Sequence, residues 1–251
     1  MRLLTAAALV LSLLLATGLA AGEEVRATEC KVVQLKTSDG LTLAADHCSS
    51  GAPDSPAVVL LHMIPPHNDR SNYPESFRRK LAAKGLQVLS IDRRGAGDSE
   101  GVAKEAYIGP KGALDVQAAL DWLRANTDAD PSRWACVGAS NGTTSCLDHA
   151  VHASKDEALT GPTALVFMTG GTYTEAQNLV ATSPATAADV LFTFNASEAE
   201  WSQAQRPAPH TGDWQLRSYA PGGHGTRVFE PNPEAMDDIA DFLAASLRKG
   251  K

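Results

Sequence analysis

A serine framed by two glycines, Gly138-Ala139-Ser140-Asn141-Gly142, fits the pattern G-x-S-x-G. It follows the apolar run from Trp134 to Val137 and precedes a stretch with helical spacing. Such a serine is expected on a tight strand-to-helix turn, its Oγ exposed at the carboxyl end of a sheet. A side chain at either glycine position would collide with the neighbouring strand or helix. The amino end of the following helix favours developing negative charge. A serine hydroxyl is a weak nucleophile until a base takes its proton. Among the seven histidines, His224 in Pro221-Gly222-Gly223-His224-Gly225 is the best placed. It lies just past the last strand candidate, in a glycine-rich loop able to reach the same sheet edge.

The other histidines read as structural. His149 and His152 share a helix face with Cys146, but no third and fourth ligand has the spacing that zinc requires, so no metal site is expected. His47, His67 and His210 fall in loops or at strand ends. His62 reads as a buried residue bracing its loop.

The elements that must position these groups alternate along the chain. Residues 57–64 form a nearly continuous apolar run, as a strand covered on both faces requires, and Pro65-Pro66 ends it. Residues 73–84 have helical spacing and close on Gly85. Residues 86–92 are a strand, followed by a glycine-rich segment. Residues 111–125 make an amphipathic helix, and 141–154 form the helix after the serine. Strands follow at 164–170, 189–195 and 214–220, and a closing helix at 233–248 starts behind Pro231 and Pro233. This order predicts a mostly parallel twisted sheet with helices on both faces. No repeat or linker divides it, so one domain is expected over residues 23–251.

Residues 1–22 carry one arginine, an apolar run and then small residues. They read as a signal peptide cut near Ala20 rather than a membrane anchor. The mature protein is therefore expected in the periplasm or the medium, without stable membrane insertion. The chain has 251 residues, 22 Lys+Arg against 29 Asp+Glu, and a formal charge of −7. An acidic protein without a basic stripe is not a nucleic-acid binder. Export makes the cysteines candidates for oxidation. The segment from Cys30 to Cys48 alternates apolar and polar residues about Ser38-Asp39-Gly40. Folded as a hairpin it sets the two cysteines opposite one another, which predicts a cross-strand disulfide. Cys136 and Cys146 read equally as a bridge or as two buried thiols.

The runs 57–63 (AVVLLHM), 91–101 (IDRRGAGDSEG), 130–142 (DPSRWACVGASNG) and 220–226 (APGGHGT) resemble an α/β-hydrolase. The likeness is to the small dienelactone-hydrolase-like and esterase-like members, and it extends over nearly the whole mature chain. It implies an α/β-hydrolase fold with an N-terminal antiparallel hairpin, Ser140 as nucleophile and His224 as general base and acid. The oxyanion hole would combine the N–H of Asn141 with one from Met63 or Ile64. The family's acid falls on Glu198, with Glu200 as the alternative. Asp92, Arg94, Gly95 and Gly97 match a structural signature. Only about twenty residues separate the strands at 164–170 and 189–195, which leaves no room for a cap domain. An open cleft is expected, floored by Ser140 and edged by Tyr173, Trp201 and the loop at His67 and Asn68. The resemblance implies a carboxylesterase that acts on small-molecule or exposed esters without a cofactor. Amide or peptide hydrolysis uses the same machinery, and a hydrolase-fold binding protein without turnover is the rival of another class.

Overall fold

The structure, a computed structural model, describes residues 30–173 and 180–248. The expected signal peptide lies outside the described residues. Eight strands form one sheet: β1 (Cys30–Lys36), β2 (Thr42–Cys48), β3 (Ser55–Leu61), β4 (Gln87–Ile91), β5 (Ala129–Ala139), β6 (Ala164–Met168), β7 (Asp189–Asn195) and β8 (Trp214–Tyr219). Their order across the sheet is β1-β2-β4-β3-β5-β6-β7-β8. The first two pairings are antiparallel and the other five are parallel.

Alternate residues of the central strands feed two cores. Ala57, Val59 and Leu61 of β3 point to one face, Val58 and Leu60 to the other. The first face is covered by α2 (Gly112–Asn126) and α3 (Gly142–Ala153) through Val116, Leu120, Leu123 and Leu147. The second is covered by α1 (Glu75–Ala83) and α5 (Glu234–Arg248) through Phe77, Leu81, Ile239 and Leu243. Burial on both sides explains why these strands read as unbroken apolar runs.

Two elements differ from the sequence reading. β5 begins at Ala129, ahead of Pro131, because its pairing with β3 shifts between Pro56 and Ala57. A bulge tolerates a proline and polar residues that otherwise read as a turn. The loop after β7 contains a short helix, α4 (Glu200–Gln205), too brief to show periodicity.

The hairpin forms as its spacing requires. Cys30 sits opposite Cys48 in the register, and the two are disulfide-bonded. Asp39 at its turn accepts Nη1 of Arg94 at 2.9 Å, which ties the hairpin to the segment after β4. Arg94 also donates to the buried Asp115 at 2.8 Å. Asp92 accepts the backbone N–H of Arg70 at 2.7 Å and that of Asp98 at 2.9 Å. These residues of the glycine-rich segment are thus structural.

Cys136 and Cys146 are also bonded, with Cα atoms 5.7 Å apart. The bridge joins β5 to α3 across the turn that holds Ser140. Closing so short a loop contributes about 3 kcal/mol in the chain-entropy account. His149 is fully buried with its ring 5.0 Å from that of Trp134, and Nε2 meets the Gln117 side chain at 2.9 Å. Among the described residues no group of three or more metal-ligating side chains comes together, and no helix is long and apolar enough to cross a membrane.

Burial depresses His47, His62 and His149, the last two to about 3 and about 4. His62 and His149 stay neutral in the folded protein while the unfolded chain protonates them below about pH 6.5. Their stabilising contribution is therefore complete above that pH and is lost as the pH falls toward the folded values. At pH 5 each costs about 2 kcal/mol. Urea unfolding at pH 7.5 and pH 5 should show this loss, and His149→Gln should lose about 2 kcal/mol less than wild type between the two.

Candidate active site

Ser140 is the first of the two residues, Ser140 and Asn141, that turn the chain from β5 into α3, and its φ is +51°. A non-glycine residue there costs about 1–2 kcal/mol. The surroundings fix it: its N–H donates to Met168 O at 2.7 Å, and its carbonyl accepts the Thr143 N–H at 3.1 Å. The flanking glycines are required by close approach. A Cβ at Gly138 would stand 2.6 Å from the Thr143 backbone, and one at Gly142 would stand 2.4 Å from Leu61 O.

Oγ of Ser140 lies 2.7 Å from Nε2 of His224, and Nδ1 of His224 lies 2.7 Å from Oε1 of Glu198. With Nδ1–H donating to the carboxylate, Nε2 is left to accept the serine proton. Glu198 closes a 3-10 turn running from Ala196, directly after β7. Its second oxygen accepts from the side-chain amide of Asn195, whose own oxygen accepts the Ser197 N–H at 2.9 Å. Glu200 lies exposed in the first turn of α4 and makes no hydrogen bond to the histidine. The structure therefore brings together Ser140, His224 and Glu198, and leaves Glu200 out.

The histidine loop is held from beneath by Thr169. This residue takes φ of +52° just after β6, and its hydroxyl accepts the Gly225 N–H at 3.0 Å. Sequence reasoning missed Thr169 and Asn195. Neither belongs to the G-x-S-x-G or G-G-H-G patterns: Thr169 holds a loop 56 residues further on, and Asn195 holds the turn that directly follows it.

His62 is fully buried and bridges two loops. Its Nε2 accepts the Arg93 N–H at 2.9 Å, so the proton sits on Nδ1, which donates to Met63 O at 2.7 Å. It braces the loop, as its sequence context suggests. In that loop the Met63 N–H points at Asn72 Oδ1, 3.4 Å away. The N–H groups of Ile64 and Asn141 have no acceptor among the described residues.

Tyr173 is 43% exposed and lies edge-on to His224, their rings 6.2 Å apart. Its phenol donates to Thr169 O at 3.3 Å, and burial raises its pKa despite a hydrogen bond with Ser140. Trp201, expected at the cleft edge, instead turns its ring to Phe167 and Phe192, each 6.1 Å away. It packs against the backbone of Gly170, so it supports the segment that carries Tyr173. A cleft of about 480 Å³ beside the His224 turn is lined by Met63, Asn68, Asn72, Thr226 and Phe229.

A nucleophile elbow, a histidine from beyond the last strand and a carboxylate from the loop after β7, on this sheet order, define an α/β-hydrolase fold. The family model for X-Pro dipeptidyl-peptidase (S15 family) matches residues 39–221, and the chain belongs to that family. It is 34% identical over 122 residues to uncharacterized proteins of two Mycobacterium tuberculosis strains, a match covering 47% of this chain and 40% of theirs. The match thus spans less than half the length of those relatives. Among solved structures, a Pyrococcus furiosus esterase superposes with a TM-score of 0.69 at 17% identity, covering 88% of this chain and 93% of that one. An Anabaena variabilis dienelactone hydrolase gives 0.62 at 17%, covering 89% and 98%. At such identities the likeness is one of fold.

With Glu198 orienting His224, Glu198→Gln should lower kcat by up to about 10⁴-fold, as the same change of a triad carboxylate to its amide does elsewhere. Glu200→Gln should stay within about twofold. Ester hydrolysis by the two purified variants, compared with wild type, checks this.

Proposed function

We propose that this protein is an exported serine hydrolase, a carboxylesterase working through an acyl-enzyme on Ser140. The observation that carries the reading is the unbroken hydrogen-bonded chain from Ser140 Oγ through His224 to Glu198. In the first half-reaction Oγ attacks the ester carbonyl carbon while Nε2 of His224 takes the hydroxyl proton. The carbonyl oxygen becomes an oxyanion, held by the backbone N–H groups of Asn141 and Ile64, with Met63 the less available donor. Glu198 keeps the imidazolium oriented and offsets its charge. His224 then gives the proton to the departing alkoxide, releasing the alcohol. Water enters, loses a proton to His224, and attacks the acyl-enzyme carbonyl. Collapse of the second tetrahedral species returns the proton to Oγ and frees the acid. Every step uses this chain's own groups.

Export is supported by the leader-like residues 1–22 and by two disulfides, which persist in oxidising compartments. Short acyl chains or bulky exposed esters suit the cleft, because the connection between β6 and β7 is too short to form a cap. A peptidase reading is favoured by one observation, the S15 family match. The acyl-enzyme chemistry is the same, so the leaving group decides between them.

Fluorophosphonates phosphonylate only an activated serine. Wild type should be labelled and Ser140→Ala should not; undiminished labelling of that variant would falsify the nucleophile assignment. On p-nitrophenyl esters the rate should peak at short chains, and a steady rise well past octanoate would rule out the open cleft. Faster turnover of aminoacyl p-nitroanilides than of the matching esters would favour the peptidase.

A further inference from the structure

Arg93 is the residue in the segment after β4 that no sequence pattern explained. Its side chain is fully buried and has no ion-pair partner among the described residues. Arg94, its neighbour, is paired with Asp115 and Asp39. The guanidinium of Arg93 instead reaches three segments that meet behind the catalytic serine. Nη1 donates to Asn141 Oδ1 at 2.9 Å and lies 3.4 Å from His62 O and 3.5 Å from Met63 O. Nη2 donates to Ala106 O at 2.7 Å and to Ser145 Oγ at 2.9 Å. Nε has no partner. Burial lowers its pKa only to about 10, so the group carries its charge at neutral pH.

We infer that Arg93 is a positioning residue for the oxyanion hole, setting both donor peptides and leaving a fixed positive charge behind them. In a trans peptide the C=O and the next N–H point in opposite directions. The His62–Met63 and Met63–Ile64 peptides are trans. Drawing the carbonyls of His62 and Met63 inward to Arg93 therefore turns the N–H groups of Met63 and Ile64 away from it. His62 Nδ1 reinforces the second of these by donating to the same Met63 oxygen. The third contact fixes the side chain of Asn141, whose backbone N–H is the other donor. One cation thus aligns the loop after β3 with the first residue after the nucleophile. It does so from a buried site, where its charge is screened little by water and is offset in part by the nearby carboxylates of Asp115 and Asp148, so its field acts on a developing oxyanion more strongly than that of an exposed group. Arg93 touches neither substrate nor reacting atoms.

This inference rests on the proposed acyl-enzyme reading, and the experiment separates the two. Arg93→Met, Arg93→Lys and Asn141→Ala are assayed on p-nitrophenyl acetate, with unfolding midpoints measured alongside. Removing an oxyanion donor costs about 10²–10³-fold in kcat. Arg93→Met should approach the lower figure, with KM changed less than threefold and the pH dependence of kcat unshifted. Arg93→Lys should fall between that variant and wild type, because an ammonium keeps the charge and loses the fork. Asn141→Ala keeps the peptide N–H and loses the Arg93 contact, and should lose about tenfold. Affinity for a boronic acid, which forms a tetrahedral adduct on the serine, should fall in proportion to kcat. A purely structural arginine would lower the folded fraction and leave kcat per active site, titrated with fluorophosphonate, unchanged. A folded Arg93→Met with kcat within threefold of wild type overturns the inference. If that variant does not fold, Asn141→Ala decides on the same threshold. Full activity in Ser140→Ala would instead overturn the acyl-enzyme reading itself.

Discussion

The chain must leave β5 and enter α3 within two residues, Ser140 and Asn141, and that constraint organises the carboxyl edge of the sheet. A residue at positive φ holds its conformation only where both flanking elements are immovable. Here β5 is paired on both sides, with β3 and β6. The helix start sits so close to β3 that Gly142 is in contact with the Leu61 and His62 carbonyls. The Cys136–Cys146 bridge then closes strand, turn and helix into a covalent ring around the serine. Tyr73, buried between β3 and β5, adds a hydroxyl 3.1 Å from both Leu61 O and Val137 O. None of these groups reacts; each removes a way for the turn to relax.

The remaining parts of the site are loops, and each is pinned by a strand-end residue rather than by its own sequence. Thr169 at the end of β6 receives the histidine loop. Asn195 at the end of β7 holds the turn that carries Glu198. The segment after β3 is held by Asp92 at the end of β4, which accepts from both the backbone and the side chain of Arg70. Parallel strands deliver all these ends to one edge, so a loop finds its anchor at the end of its own strand or of another strand of the sheet. The sheet thereby supplies the geometry and the loops supply the chemistry.

Elements long enough to show a period were legible in the sequence: the buried strands, the helices at 112–126 and 234–248, and the hairpin with opposed cysteines. So was the elbow, because its two glycines answer a contact that allows no side chain. Shorter features were not. α4 has too few residues for a period, and the register shift in β5 hides behind a proline. The oxidation state of Cys136 and Cys146 depends on the distance between a strand and a helix, which spacing alone leaves open. Arg93 escaped notice for a different reason. Two consecutive arginines look equivalent in a sequence, yet at a strand end neighbouring side chains depart to opposite sides. One meets Asp115 and the other the serine turn.

The choice of glutamate as the carboxylate also follows from how its loop is built. A glutamate has one more rotatable bond than an aspartate, and a half-exposed one would lose more freedom in holding a single pose. Asn195 removes that freedom beforehand. Its amide oxygen accepts the Ser197 hydroxyl at 2.5 Å as well as the Ser197 N–H, and its amide nitrogen donates to Oε2 of Glu198. With Oε2 occupied, only Oε1 is free to face His224, and the 3-10 turn delivers it at hydrogen-bonding distance. A shorter acid on the same turn would have to choose between Asn195 and the histidine. The added methylene lets one carboxylate reach both, so the asparagine and the glutamate form one unit in the proposed mechanism.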